Sequence, residues 1–215
     1  NYAYVATRAR SRRSRLLPAE AYNQLLNLEH AEIARYIQDL EYRREIDRYG
    51  STLSGADLIE TALVDNLAKD VGDFLSFSKG KLRDILHVYA EKYRIENLKN
   101  IVRGINQNMD KQNLERLVCP INDSDKELYN KLYDSKTVED MIASLEGTSY
   151  YNPLKKALEA RNSDSLQPLE DALDLIYYQN LVSNQPSGGA DVEVYRDFVQ
   201  LKVDIANIKT LLRMR

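Results

Sequence analysis

The chain has 215 residues, enough for one large domain or for two modules of roughly 100 residues each. Its 30 Lys and Arg against 33 Asp and Glu leave a net charge of −3, which argues against wholesale nucleic-acid binding, and 43% apolar content excludes a disordered chain. No run approaches the roughly 20 apolar residues that cross a bilayer, and a single cysteine, Cys119, excludes an internal disulfide and points to a reducing compartment.

The first predicted helix lies at the start, where Arg8, Arg10, Arg12, Arg13 and Arg15 crowd a stretch with no acid before Glu20. On a helix Arg8, Arg12 and Arg15 share one stripe, and Tyr2, Val5 and Ala9 another. The stretch reads as a basic face for an acidic partner. A transit peptide and a nucleic-acid arm are the other readings. The apolar stripe runs on into Leu16-Leu17-Pro18, which speaks against the first, and the acidic whole speaks against the second.

Pro18 suits the first turn of a second helix. Leu25, Leu26, Ile33, Ile37 and Leu40 then follow helical spacing and predict a common apolar face. Gly50 and Ser54-Gly55 break the pattern, with Ser54 and Asp57 as candidate caps. Helical spacing resumes with Leu63 and Leu67, and again with Leu82, Ile85, Leu86 and Tyr89. Residues 118–125 cannot stay helical through Pro120 and read as a link. Further breaks fall at Gly147, at Asn152-Pro153 and over 162–168, and residues 184–189 read as the most flexible segment. No stretch alternates as a half-buried strand does, so the predicted fold class is all-α. Tyrosine is abundant (15 against 3 Phe), which suits half-buried helix seams.

An internal repeat organises these elements. Tyr93-Arg94-Ile95-Glu96-Asn97-Leu98-Lys99-Asn100-Ile101-Val102-Arg103 recurs as Val203-Asp204-Ile205-Ala206-Asn207-Ile208-Lys209-Thr210-Leu211-Leu212-Arg213, at an offset of 110. Glu60, Ala62 and Leu63 recur at the same offset as Glu170, Ala172 and Leu173. Upstream, Ile33, Ile37 and Leu40-Glu41 match Val138, Ile142 and Leu145-Glu146 at an offset of 105, an indel that loops tolerate. A period this long marks a duplicated module. The expected division is a first helical module over 1–117, a linker over 118–125 and a second helical module over 126–215.

The repeated set Asn97, Lys99, Arg103 and Asn207, Lys209, Arg213 puts each Lys and Arg four residues apart, on one helix face. Two uses fit: glue between helices, with Glu60 or Glu170 as the tied carboxylate, or a basic docking patch. Catalytic signals are thin. His30 and His87 lie in no H-E-x-x-H pattern, and Cys119 lies in no metal spacing. Gly72 to Gly80-Lys81 has seven intervening residues where a phosphate loop needs four, and Leu82 stands where its Ser or Thr belongs. No catalytic residue, metal site or cofactor is expected.

Tyr2-Ala3-Tyr4-Val5, the arginine run and Ser14-Arg15-Leu16-Leu17-Pro18 with Tyr22 and Leu25-Leu26 resemble the start of the C subunit of archaeal A-type ATP synthases, a family that is similar to the d subunit of V-type ATPases. Residues 40–46, 93–99, Arg103, 145–148 and 204–209 continue the resemblance. It implies an all-helical, funnel-shaped protein of three related modules about a pseudo-threefold axis. It also implies a non-catalytic role, as a socket between the rotor shaft and the membrane ring of proteolipid c subunits. The implied partners are the ring and central stalk subunits D and F, at the cytoplasmic face of the membrane, with proton or sodium transport coupled to ATP. Nucleic acid is not an expected partner. Arg8, Arg12, Arg15, Lys99, Arg103, Lys209 and Arg213 are the candidate docking charges, with Asn97, Asn207, Glu60 and Glu170 as structural positions of the repeat. Only two of the three modules are present, so a fragment is expected. The alternative is a stand-alone helical-repeat scaffold for a protein partner.

Overall fold

The computed structural model describes residues 2–161, 165–184 and 190–213, with 190–192 and 213 as backbone only. The expected flexible segment therefore lies outside the described residues over 185–189, as do 162–164 and the Arg213 side chain. Among the described residues there are helices and no strand, so the fold is all-α.

Helix α1 (Tyr2–Arg13) is followed by three short helices, α2 (Ala19–Leu25), α3 (His30–Gln38) and α4 (Arg43–Tyr49). Two long ones follow, α5 (Gly55–Phe77) and α6 (Lys81–Asn106), and then the short α7 (Lys111–Arg116). The order short, short, short, long, long returns in α8 (Asp123–Leu132), α9 (Val138–Ala143), α10 (Tyr151–Glu159), α11 (Gln167–Ser183) and α12 (Ala190–Arg213).

Local chemistry sets several of these boundaries. The predicted continuous face from Leu25 to Leu40 is split between α2 and α3, because the Glu29 N–H donates to Glu32 Oε2 at 2.9 Å and starts a new helix. Ile37 is buried, whereas Leu26 and Leu40 are exposed. Pro18 is the residue before α2, and Ser54 the residue before α5, where its hydroxyl makes no cap bond. Asn152-Pro153, read as a break, lies inside the first turn of α10; the N–H that proline lacks has no helical partner there. Side-chain caps also start α7, α8 and α9: Asp110, Asn122 and Thr137 accept from the backbone N–H three residues on. Gly80 stands at φ +56° between α5 and α6, a left-handed turn that a side chain would strain.

Among the described residues, three apolar clusters result. The small one joins α3, α4 and α5 through Ala34, Ile37, Ile46, Leu58 and Ala62. Leu63 and Leu67, read as an apolar face, are exposed, since the 58/62 face is the one turned to α3 and α4. A second cluster ties the α5–α6 hairpin to the loop before α8 through Leu75, Ala90 and Ile121. Gly72 permits that approach: a Cβ there would stand 2.7 Å from the Ile121 carbonyl oxygen.

The largest cluster takes Ile95, Leu98, Ile101, Val102 and Ile105 from the second half of α6 and packs them with residues of α7 through α12. It draws on both sides of residues 118–125. Thus α6 begins against α5 and ends against α9 and α11.

Candidate functional site

The N-terminal arginines are engaged along α5. Arg12 binds Asp70 and Asp73 and lies over the Phe74 ring at 5.2 Å. Arg8 lies 5.5 Å from both the Tyr4 and Phe77 rings, and Tyr4 meets Phe77 edge-on at 5.9 Å. Arg15, which the helical stripe placed with them, lies past the end of α1 and pairs with Glu41 at 2.9 Å. Val5 is the one residue of α1 that is buried. Cations and rings therefore strap α1 to the second half of α5.

A second set forms the seam between α6 and α11. Lys99 is buried and its Nζ donates to Asp174 Oδ1 at 2.6 Å. One turn on, Arg103 Nε and Nη2 each meet a Glu170 carboxylate oxygen at 2.7 Å, a two-pronged fork. The hydrogen bonds it donates to Glu170, offset in part by desolvation, hold the Arg103 guanidinium above its ordinary pKa. Asn97 clamps the loop after α7: its Nδ2 donates to the Cys119 carbonyl at 2.9 Å, and the Cys119 N–H donates back to its Oδ1 at 3.3 Å. Burial pushes the Cys119 thiol up to about 12, which favours its protonated form.

The counterparts of this set meet other surroundings. Asn207 and Lys209 are exposed on α12. Glu60, which corresponds to Glu170, is exposed on α5 and lines a groove of about 530 Å³ between α5, α6 and α7. Asp57, Glu60, Glu96 and Arg116 supply its charge, and Leu53, Val64 and Leu67 part of its apolar wall.

One cluster was not visible in the sequence. Arg94 donates to Asp125 Oδ1 at 2.8 Å and to Glu91 Oε2 at 3.1 Å. The Tyr150 hydroxyl donates to the other Glu91 oxygen, and the Ile121 N–H to Asp125 Oδ2 at 3.2 Å. Burial alone would lower the Arg94 pKa, but the charges of Asp125 and Glu91 raise it above its ordinary value. Burial first, and then the Glu91 charge, raises the Tyr150 phenol well above its ordinary value. These contacts bind α6, α8 and the start of α10 into one network. The repeat carried no hint of it, since Arg94 is matched by Asp204.

Among the described residues no group of three or more His, Cys, Asp and Glu is placed to hold a metal ion, and no helix is long and apolar enough to cross a membrane. His30 and His87 take no part in any such group. Burial lowers the His87 pKa below its ordinary value.

The chain is all-helical among the described residues, and ion pairs clamp its helices to one another. It belongs to the ATP synthase (C/AC39) subunit family, whose model matches residues 5–215. It is 35% identical over 214 residues to the A-type ATP synthase C subunit of Archaeoglobus fulgidus, covering 100% of this chain and 61% of that one. It is 34% identical over 215 residues to the C subunit of Haloferax volcanii, with 100% and 62% covered. For that of Methanosarcina acetivorans the figures are 33% over 217 residues, with 100% and 59% covered. The chain thus spans about three fifths of the length of these relatives.

Proposed function

We propose that this chain is part of a non-catalytic central-stalk subunit of a rotary A/V-type ATP synthase, a socket that couples the rotor shaft of the ATPase head to the membrane proteolipid ring. The observation that carries this reading is the family match over 5–215, with relatives named as the C subunits of A-type ATP synthases. In this reading the protein sits peripherally at the cytoplasmic face. It receives stalk subunits D and F on one side and the c ring on the other, and passes torque for ATP-linked proton or sodium transport. It takes no cofactor and binds no nucleic acid.

The physical role asks for stiffness, and close-packed helices supply it. The two modules, 1–117 and 126–215 about a link at 118–125, are units of sequence repetition in this reading rather than separate packing units. Lys99 and Arg103 then serve the seam. Arg8, Arg12 and Arg15 brace α1 and offer their outer edges as docking charges. The alternative, a stand-alone helical-repeat scaffold, is favoured by the open apolar face of α12.

The test is reconstitution of the full-length parent with its proteolipid ring and its stalk subunits. One complex holding all three is the expected result. A parent that binds neither ring nor stalk overturns the coupling reading and leaves the scaffold.

A further inference from the structure

Helix α1 is attached by charge and rings more than by burial. Of its 12 residues only Val5 is buried. The rest of the attachment is Arg12, which binds Asp70 and Asp73 and covers Phe74, with Arg8 and Tyr4 against Phe77. Water reaches these charges: the Arg12, Asp70 and Asp73 side chains are 27%, 36% and 43% exposed. Those of Arg94 and Asp125, in the network that binds α6 to α8, are 19% and 7% exposed. Salt screens charges that water reaches and screens buried pairs much less.

The dock under α1 is particular to α5. At the offset of 110 that relates α5 to α11, Asn180, Ser183 and Asn184 stand where α5 has Asp70, Asp73 and Phe74. The short helix that precedes α8, α7, is anchored by burial instead, through Leu114. The chain between α1 and α2 leaves room for movement, since residues 14–18 belong to neither helix. Arg15, paired with Glu41 at 2.9 Å, pins that segment close to α4.

We propose that α1 is a salt-releasable arm, a unit that swings away from α5 about residues 14–18 as ionic strength rises, while α2 through α11 stay folded. One buried side chain and a few water-facing charge and ring contacts make a small anchor, of the kind that opens locally well before the whole fold does. Salt leaves the burial of Val5 intact and weakens the Arg12 fork, so the fork sets the response. Opening bares Asp70, Asp73, Phe74 and Phe77 on α5 and frees Arg8 and Arg12 together. The inference rests on the contacts between α1 and α5 and not on the coupling role.

Hydrogen exchange of the full-length parent tests it, at about 0.1 M and about 1 M sodium chloride, between which the screening length falls from about 10 Å to about 3 Å. Residues 3–13 are expected to exchange about threefold to tenfold faster at the higher salt, while 95–103 keep their rate. Arg12→Met keeps an aliphatic stem over Phe74 and removes the charge. It is expected to give the fast exchange already at low salt and to remove most of the salt dependence. Arg10→Gln removes the same charge from the exposed side of α1 and leaves both nearly unchanged. Protection of 3–13 that is equal at both salts and in Arg12→Met overturns the proposal. So does free exchange at every salt, which marks an arm that never docks. Loss of protection over 95–103 together with 3–13 also overturns it, since α1 is then part of one cooperative unit. Assembly with ring and stalk is scored on the same samples: its failure sinks the coupling reading and leaves the arm standing.

Discussion

The cluster around α3, α4 and α5 and the one around the second half of α6 are built from the same kind of parts, yet they bury them differently. The first has five buried residues, two of them alanines, and draws only on helices close in sequence. The second draws on α6 through α12 and includes Leu98, Ile101, Val102, Leu132, Met141, Leu145, Leu154, Leu169, Leu173 and Leu181, all fully buried. Polar groups do not follow the division: Asp125 and Lys99 are buried and paired in the large region, and in the small one Glu45 is buried with Lys69 Nζ at 3.6 Å, while Arg48 meets Asp65 at 3.2 Å near the surface. What differs is whether later chain returns to cover a helix face.

The sharpest way to break this comparison is through the buried charges. Asp125→Ala leaves buried Arg94 with Glu91 alone and strands the Ile121 N–H, and is expected to cost about 3–5 kcal/mol, read as a lowered midpoint in urea unfolding. Asp65→Ala, which loses the outward-facing Arg48 pair and the hydrogen bond from the Tyr49 hydroxyl, is expected to cost about 1–2 kcal/mol. Equal losses would abolish the distinction. Next in size is Leu98→Ala, at about 2–5 kcal/mol, against Ile208→Ala in this chain, within about 0.5 kcal/mol. A large loss for Ile208→Ala would mean that α12 is already covered.

The smallest effect per residue is alkaline. Burial raises Tyr49 and Tyr177 to about 12 from 10.0, and raises Tyr129, Tyr133 and Tyr150 still further. Each folded pKa lies above the unfolded value, so the neutral phenol stabilises the fold fully below pH 10.0, and that contribution is lost as pH rises toward the folded value. Four of these five tyrosines serve the large region and one the small. Tyrosinate absorbance and circular dichroism followed together should therefore show the large region loosening first, and Tyr129→Phe should flatten the slope. Simultaneous loss of both regions would remove the distinction.

Much of this was legible in the sequence. Helical spacing gave the fold class, and Arg103 holds Glu170, one of the two carboxylates the residue types nominated. Periodicity marks which face is apolar, though, and not what covers it, so Leu63 and Leu67 read as core and lie exposed. The arginines of α1 looked like a free basic face because their partners, Asp70, Asp73, Phe74 and Phe77, stand some 60 positions away. The Arg94 network was hidden for the same reason: Glu91 and Arg94 lie close together on α6, but Asp125 and Tyr150 come from far along the chain.

The seam on α6 also has a place in time. Lys99 and its partner Asp174 are 75 positions apart. At about 5–20 residues per second, the stretch between them takes roughly 4–15 s to synthesise. For that interval the stripe of Ile95, Leu98, Ile101 and Val102 has left the ribosome without its cover, while the contacts among α3, α4 and α5 are already available. Nascent chains halted before α11 should therefore be retained by a holdase chaperone, and chains carried past it released. The segment that anchors the finished molecule is, while the chain is being made, its most adhesive part.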